Sequence, residues 1–168
     1  MDNYQNLSNQ EALDKLKELA EDVRMCMFCT AVKELPFQTR PMATQEVDAH
    51  GNIWFFSAAD SDKNMEIKQD DQVQLLYAKQ SDNHYLSVYG HADIIRDRTK
   101  TEELWNIFIK TWFQEGKDDP NLTLIRVRPE SAYYWDTKHG RFISLLGLAA
   151  SVISGKTMDG SLEGNLII

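Results

Sequence analysis

The sequence predicts a mainly-β protein: a small, closed, six-stranded barrel with helices at its periphery. Three observations carry that expectation. Short apolar runs recur along most of the chain, tight polar turns such as "DAHGN" and "SDNH" join them, and only two long stretches space their apolar residues as helices do. One helix precedes the first strand and another precedes the last, which suits a barrel with helical decoration.

Each element has its own signal. Ser8 and Glu11 form an S-x-x-E capping box, and Ala12, Leu16, Leu19, Ala20 and Val23 then recur at helical spacing, predicting a helix over residues 8–24. Met25 to Val32 reads as the first strand. "QTRPMATQEV" (38–47) reads as the second, with Pro41 marking an edge or an interrupted ladder. A turn through Gly51 and Asn52 leads into "IWFFSA", the third strand, and residues 63–70 read as a short helix. "VQLLYAKQ" and "YLSVYGHADIIRD" are strands four and five. Thr99 with Glu102 is a second capping box, and Leu104, Trp105, Phe108, Ile109 and Trp112 form one apolar stripe, predicting a second long helix. "KDDPN" breaks the chain before "LTLIRVRPESAYYWD", the sixth strand. Residues 137–168 carry several glycines and no clear period, and read as a tail ending in a short strand, "NLII". There is no internal repeat and no Pro- or Ser-rich linker, so one domain over 1–168 is expected.

Composition excludes some functions. The 168 residues are 42% hydrophobic, enough for a core, and 18 basic against 26 acidic residues give a formal charge of −8. Nucleic-acid binding needs clustered Lys and Arg, so it is not expected. The N-terminus has no apolar signal core, and no apolar run approaches the ~20 residues of a membrane span, so a soluble, cytoplasmic protein is expected. The two cysteines, Cys26 and Cys29, have C-x-x-C spacing. Zinc would need a second ligand pair, and a redox motif should open a helix. In a strand the two side chains point to opposite faces, so they read as small apolar residues. The four histidines are scattered; His50 and His84 fall in turns and read as solvated, and no metal site is expected.

No G-x-G-x-x-G, P-loop, G-x-S-x-G or H-E-x-x-H pattern occurs. The stretch "WFFSAADSDKN" stands out, because Ser57, Ser61 and Lys63 gather where a strand hands over to a helix. It reads either as a phosphate cradle at a helix N-terminus or as a plain turn with Ser61 as the N-cap and Lys63 in solvent. Arg40 has a similar pair of readings, the plainer one being an edge-strand arginine paired with a surface acid.

In this order, "TRPM" in strand two, "WFFSAADSDKNMEI" after strand three, "VYGHA" in strand five and the run from Trp112 to Asp136 resemble the flavin-binding split barrels of the pyridoxamine 5′-phosphate oxidase-like superfamily, general stress protein 26 branch. The resemblance implies a six-stranded split barrel that forms a homodimer, with FMN (or FAD or another flavin) in grooves between the subunits. It implies that Arg40, Pro41 and Met42 lie along the isoalloxazine and that Phe56 and Ser57 contact it. It assigns Ser61 and Lys63 to the phosphate and turns Tyr89 and Gly90 toward the flavin across the interface. Trp112, and by the same logic Trp135, would be aromatic walls for the other subunit's flavin. Asp62 replaces a basic residue that the oxidases carry, and "DTKHGRFI" lacks their Arg-x-His motif, so pyridoxal phosphate synthesis is not expected. The expected function is an FMN-binding general stress protein acting as an oxidoreductase between a nicotinamide and a small acceptor, with no catalytic residue assigned. The alternatives are a module that holds flavin without turnover and a cofactor-free interaction domain.

Overall fold

The computed structural model describes residues 5–137 and 161–167. In chain order the elements are β1 (Leu7–Ser8), α1 (Asn9–Val23), β2 (Met25–Thr30), β3 (Gln38–Ala43), β4 (Glu46–Val47), β5 (Ile53–Ala58), α2 (Asp62–Gln69), β6 (Gln72–Lys79), β7 (His84–Ile95), α3 (Arg98–Leu104), β8 (Leu122–Thr137) and β9 (Ser161–Ile167). The sheet runs β1-β9-β8-β7-β6-β2-β3, and β5 joins it through β8 with β4 at its side. The sequence predicts a closed ring; the hydrogen-bonded path among the described residues is open between β3 and β5, as in a split barrel.

The 16-residue β8 is the common wall. Its first part pairs with β5, its last part with β9, and nearly all of it with β7. Residues paired across strands share a face, so Phe28, Leu75, Val88 and Ala132 form one inward row, and Phe55 meets Phe28 edge-to-face at 5.2 Å. Leu16 and Leu19 of α1 pack on this core. Polar contacts add to the attachment of α1: Lys15 donates to Asp136 Oδ2 at 2.9 Å, and His84 lies 3.0 Å from both Asp22 and Asp136. His84 is therefore a strand residue bridging helix and sheet, not the solvated turn histidine that the sequence suggests.

Asp22, Asp82 and His84 also gather their ligand atoms within 4.8 Å of one another. The Lys79 ammonium contacts both carboxylates there, at 2.7 and 2.6 Å, and so supplies a cation already.

Other expectations change in detail. Strand 38–47 divides into β3 and β4, which pair with different neighbours. Ser8 sits at the N-cap of α1 but makes no side-chain cap bond. The cap of α3 is Asp97, whose carboxylate accepts from Lys100 N at 2.9 Å, rather than Thr99. The second long helix does not form: α3 ends at Leu104, the chain extends at Trp105 and then makes only two short 3-10 turns, Ile109–Thr111 and Gly116–Asp118. Asn106 Oδ1 accepts from Phe108 N and Ile109 N and so starts that turn, while Ile109 and Phe113 pack with Leu122, Phe56 and Trp105. The final strand begins at Ser161, earlier than "NLII" suggests. His139 and most of "DTKHGRFI" lie outside the described residues.

Cys26 and Cys29 are free, buried and on opposite faces of β2. Burial pushes the Cys26 thiol up to about 12. The thiolate is the reactive form, so a thiol-specific reagent at neutral pH should leave Cys26 unmodified in the folded protein and label it on unfolding. Labelling of Cys26 under native conditions at the rate of a free thiol would refute this.

Candidate functional site

Along β5 the side chains alternate. Phe55 and Ser57 face the barrel, while Phe56 faces the other way and meets Trp105 edge-to-face at 6.1 Å. The strand ends in a turn that delivers Ser61 to the N-cap of α2. The Ser61 hydroxyl donates back to the Ala58 carbonyl at 2.7 Å instead of capping the helix. Ser57 Oγ donates to Asn64 Oδ1 at 2.6 Å, Asn64 Nδ2 donates to Thr123 Oγ1 at 3.0 Å, and Thr123 donates to the Ser57 carbonyl at 2.8 Å. Ser57, Asn64 and Thr123 are all buried. Their closed loop of bonds fixes α2 against β5 and β8.

That fixing places two cations together. Arg40 lies on β3 opposite Phe28, and its Nη2 donates to Glu66 Oε2 of α2 at 2.7 Å. Its Nη1 donates to Thr30 Oγ1, and the Thr30 hydroxyl donates to the same Glu66 oxygen. Lys63 sits one turn before Glu66 on α2. Burial pushes its pKa down and the positive charge of Arg40 pushes the same way, against the pull of Glu66, Asp60 and Asp62. A chain with a formal charge of −8 thus keeps an arginine and a lysine within electrostatic reach at the start of a helix. Such a group can hold a compact anion, because the ammonium, the guanidinium and the helix N-terminus all favour negative charge. A cavity of about 650 Å³ lies against α2 as well, but Asn64, Ile67 and Lys68 line it, and neither Arg40 nor Lys63 does.

Arg40, Ser57, Ser61 and Lys63 are therefore brought together at the meeting of β3, β5 and α2. Met42 points inward and is buried. The remaining candidates lie elsewhere on this chain. Pro41, Tyr89 and Trp135 fall on the outward face of the sheet, and Trp112, 81% exposed, stands on the loop after α3. The register puts Val88, next to Tyr89, three strands from Arg40, roughly 14 Å away. Gly90 has a local reason to be glycine: a Cβ there would lie 2.3 Å from the Arg128 carbonyl, at the irregularity where β7 meets β8.

A family model described as pyridoxamine 5′-phosphate oxidase like matches residues 11–159. The chain belongs to that family. Among its relatives is general stress protein 26 of Bacillus subtilis, 29% identical over 81 residues, which are 46% of this chain and 57% of that protein. A solved structure of a candidate general stress protein 26 from Jannaschia sp. CCS1 superposes with a TM-score of 0.76 at 23% identity, covering 94% of this chain and 96% of that one, which shows the shared fold. The solved general stress FMN/FAD binding protein of Xanthomonas citri matches at a TM-score of 0.65 and 25% identity, over 76% of this chain and 90% of that one. The chain spans 57% to 61% of the length of the curated relatives it matches.

Glu66, Thr30 and Asn64, which bond the candidate residues Arg40 and Ser57, are passed over by the sequence reading. For Glu66 a signal exists, since its i,i+3 spacing from Lys63 sets both on one helix face. Nothing local in the sequence reveals its bond to Arg40, 26 residues away in the chain.

Proposed function

We propose that the protein binds FMN at a site shared by two copies of the chain, with Lys63 and Arg40 holding the phosphate. The docking of Arg40 on Glu66 of α2, one helical turn from Lys63 in an acidic chain, is the observation that carries the reading. A phosphate dianion there would offset the burial and, after it, the Arg40 charge that lower the Lys63 pKa. FAD or another flavin phosphate meets the same two groups.

The outer face of the sheet supports a second copy. Pro41, Met27 and Leu76 are neighbours by register on that face, with Met25 beside them and Tyr85, Tyr89, Tyr133 and Trp135 further along it. Met25, Met27 and Leu76 are each exposed by two fifths or more. An antiparallel sheet that turns one face to water carries polar residues there, so an apolar outer face suits a partner surface. The occupant we assign is another copy, which would bring Tyr89 and Trp112 of one subunit toward the flavin held by the other.

When bound, the flavin supplies hydride or electron transfer, and the protein's part is to position it and exclude water. On this reading the protein is a cytoplasmic flavin-dependent oxidoreductase working between a nicotinamide and a small acceptor; its two free cysteines suit a reducing compartment. The alternative is a module that holds flavin without turnover, since the groups the reading rests on, Arg40 and Lys63, would hold the charge of the phosphate rather than move a substrate proton. Titration with FMN at micromolar concentration should quench its fluorescence, and sedimentation at the same concentration should give a dimer. A monomer would sink the shared site, and unquenched FMN would sink the cofactor. Oxidation of NAD(P)H by the loaded protein separates the enzyme from the module.

A further inference from the structure

We infer that Glu66 is a built-in competitor anion, whose carboxylate occupies Arg40 in the free protein and must be displaced by the phosphate of an incoming ligand. This deepens the phosphate-site reading and rests on it. The Glu66 side chain bonds the Arg40 guanidinium at 2.7 Å and accepts the Thr30 hydroxyl on the same oxygen, and it attracts Lys63 through space. Arg40 and Glu66 are each about three-quarters buried, so water screens the pair only partly. Arg40, Lys63 and Glu66 sum to one net positive charge, and displacing Glu66 leaves the two cations to the ligand, with Asp60 and Asp62 acting on Lys63 in both states.

That difference selects among ligands. A carboxylate or chloride brings one charge and offers Arg40 little that Glu66 does not already give. A phosphate ester brings nearly two charges and three acceptor oxygens, enough to bond Arg40 and Lys63 together. A neutral ligand such as riboflavin brings nothing to exchange for Glu66. The carboxylate therefore lowers affinity for every anion, and lowers it most for singly charged ones. Glu66 acts through Arg40 and is a specificity-determining residue rather than a catalytic one.

The test is Glu66→Gln, which keeps the shape of the side chain and removes its charge. FMN affinity, read by fluorescence quenching, should rise roughly tenfold, while riboflavin affinity should stay within about twofold. Adding Arg40→Ala to the Glu66→Gln background should erase the gain. FMN affinity unchanged or weakened by Glu66→Gln overturns the inference, since Glu66 would then orient Arg40 for the ligand rather than compete with it. Should neither flavin bind to either protein, the flavin reading fails by itself, and inorganic phosphate decides the inference. Followed through the ¹⁵N resonance of the Arg40 guanidinium, phosphate should act at lower concentration on the Glu66→Gln variant. Equal concentrations would overturn the proposal.

Discussion

Phe28→Ala should lower the free energy of unfolding by about 3–5 kcal/mol, the range for removing a buried aromatic ring. Phe28 is fully buried, packs edge-to-face on Phe55, and sits in the middle of β2 between Arg40 on one side and Leu75 on the other. The cavity left behind cannot collapse easily, because both neighbouring strands are hydrogen-bonded to β2 over most of its length. Urea unfolding followed by tryptophan fluorescence measures the loss. The same change should reach the anion group, because β2 carries Thr30 and pairs with the strand that carries Arg40. A loss below about 1 kcal/mol would mean that the barrel wall repacks freely around the missing ring.

Lys63→Ala should weaken FMN binding by about 1.5–3 kcal/mol, or tenfold to a hundredfold in Kd, while leaving the unfolding midpoint nearly unchanged. The side chain is half-buried on a short helix whose attachment depends on Asn64 and Ile67, so its removal takes away charge more than packing. The wild-type affinity should also fall as pH rises. Burial and Arg40 hold the Lys63 pKa below 10.5, and only the charged form attracts phosphate, so affinity is lost as pH climbs through that lowered value. The Lys63→Ala variant should lack this part of the alkaline slope. Equal affinities in the two proteins at neutral pH would move the phosphate elsewhere.

The parts of the fold that the sequence reveals are those with one dominant face. Helix α1 follows from Ala12, Leu16, Leu19 and Ala20 because that stripe meets a single sheet. The second long helix fails for the opposite reason. Leu104, Trp105, Phe108, Ile109 and Trp112 share helical spacing, but their destinations differ: Ile109 joins a small cluster over β5 and β8, while Phe108 and Trp112 stay exposed. Tertiary contacts and the Asn106 side chain override the periodicity there. At the candidate site the sequence marks Arg40, Ser61 and Lys63. It cannot show that the Ser57 hydroxyl is spent inside the protein on Asn64, nor that a helix carboxylate reaches β3. Those facts depend on how α2 lies against the barrel, which no local pattern encodes.

The strand at Leu7–Ser8 pairs in parallel with Leu166 and Ile167 of β9, and Gly164 passes so close to the Gln5 carbonyl that a Cβ would lie 1.9 Å from it. During synthesis the two halves of this contact emerge far apart in time. β2, β3, β5, β6, β7 and β8 can all find their sheet partners among themselves before residues 161–167 exist. The Leu7–Ser8 segment, made before the other described strands, must wait until residues 161–167 exist before it acquires its neighbour, and until then the outer edge of β8 beyond Ala132 stands uncovered. The nascent chain is thus most open to strand-to-strand association in the interval before β9 docks.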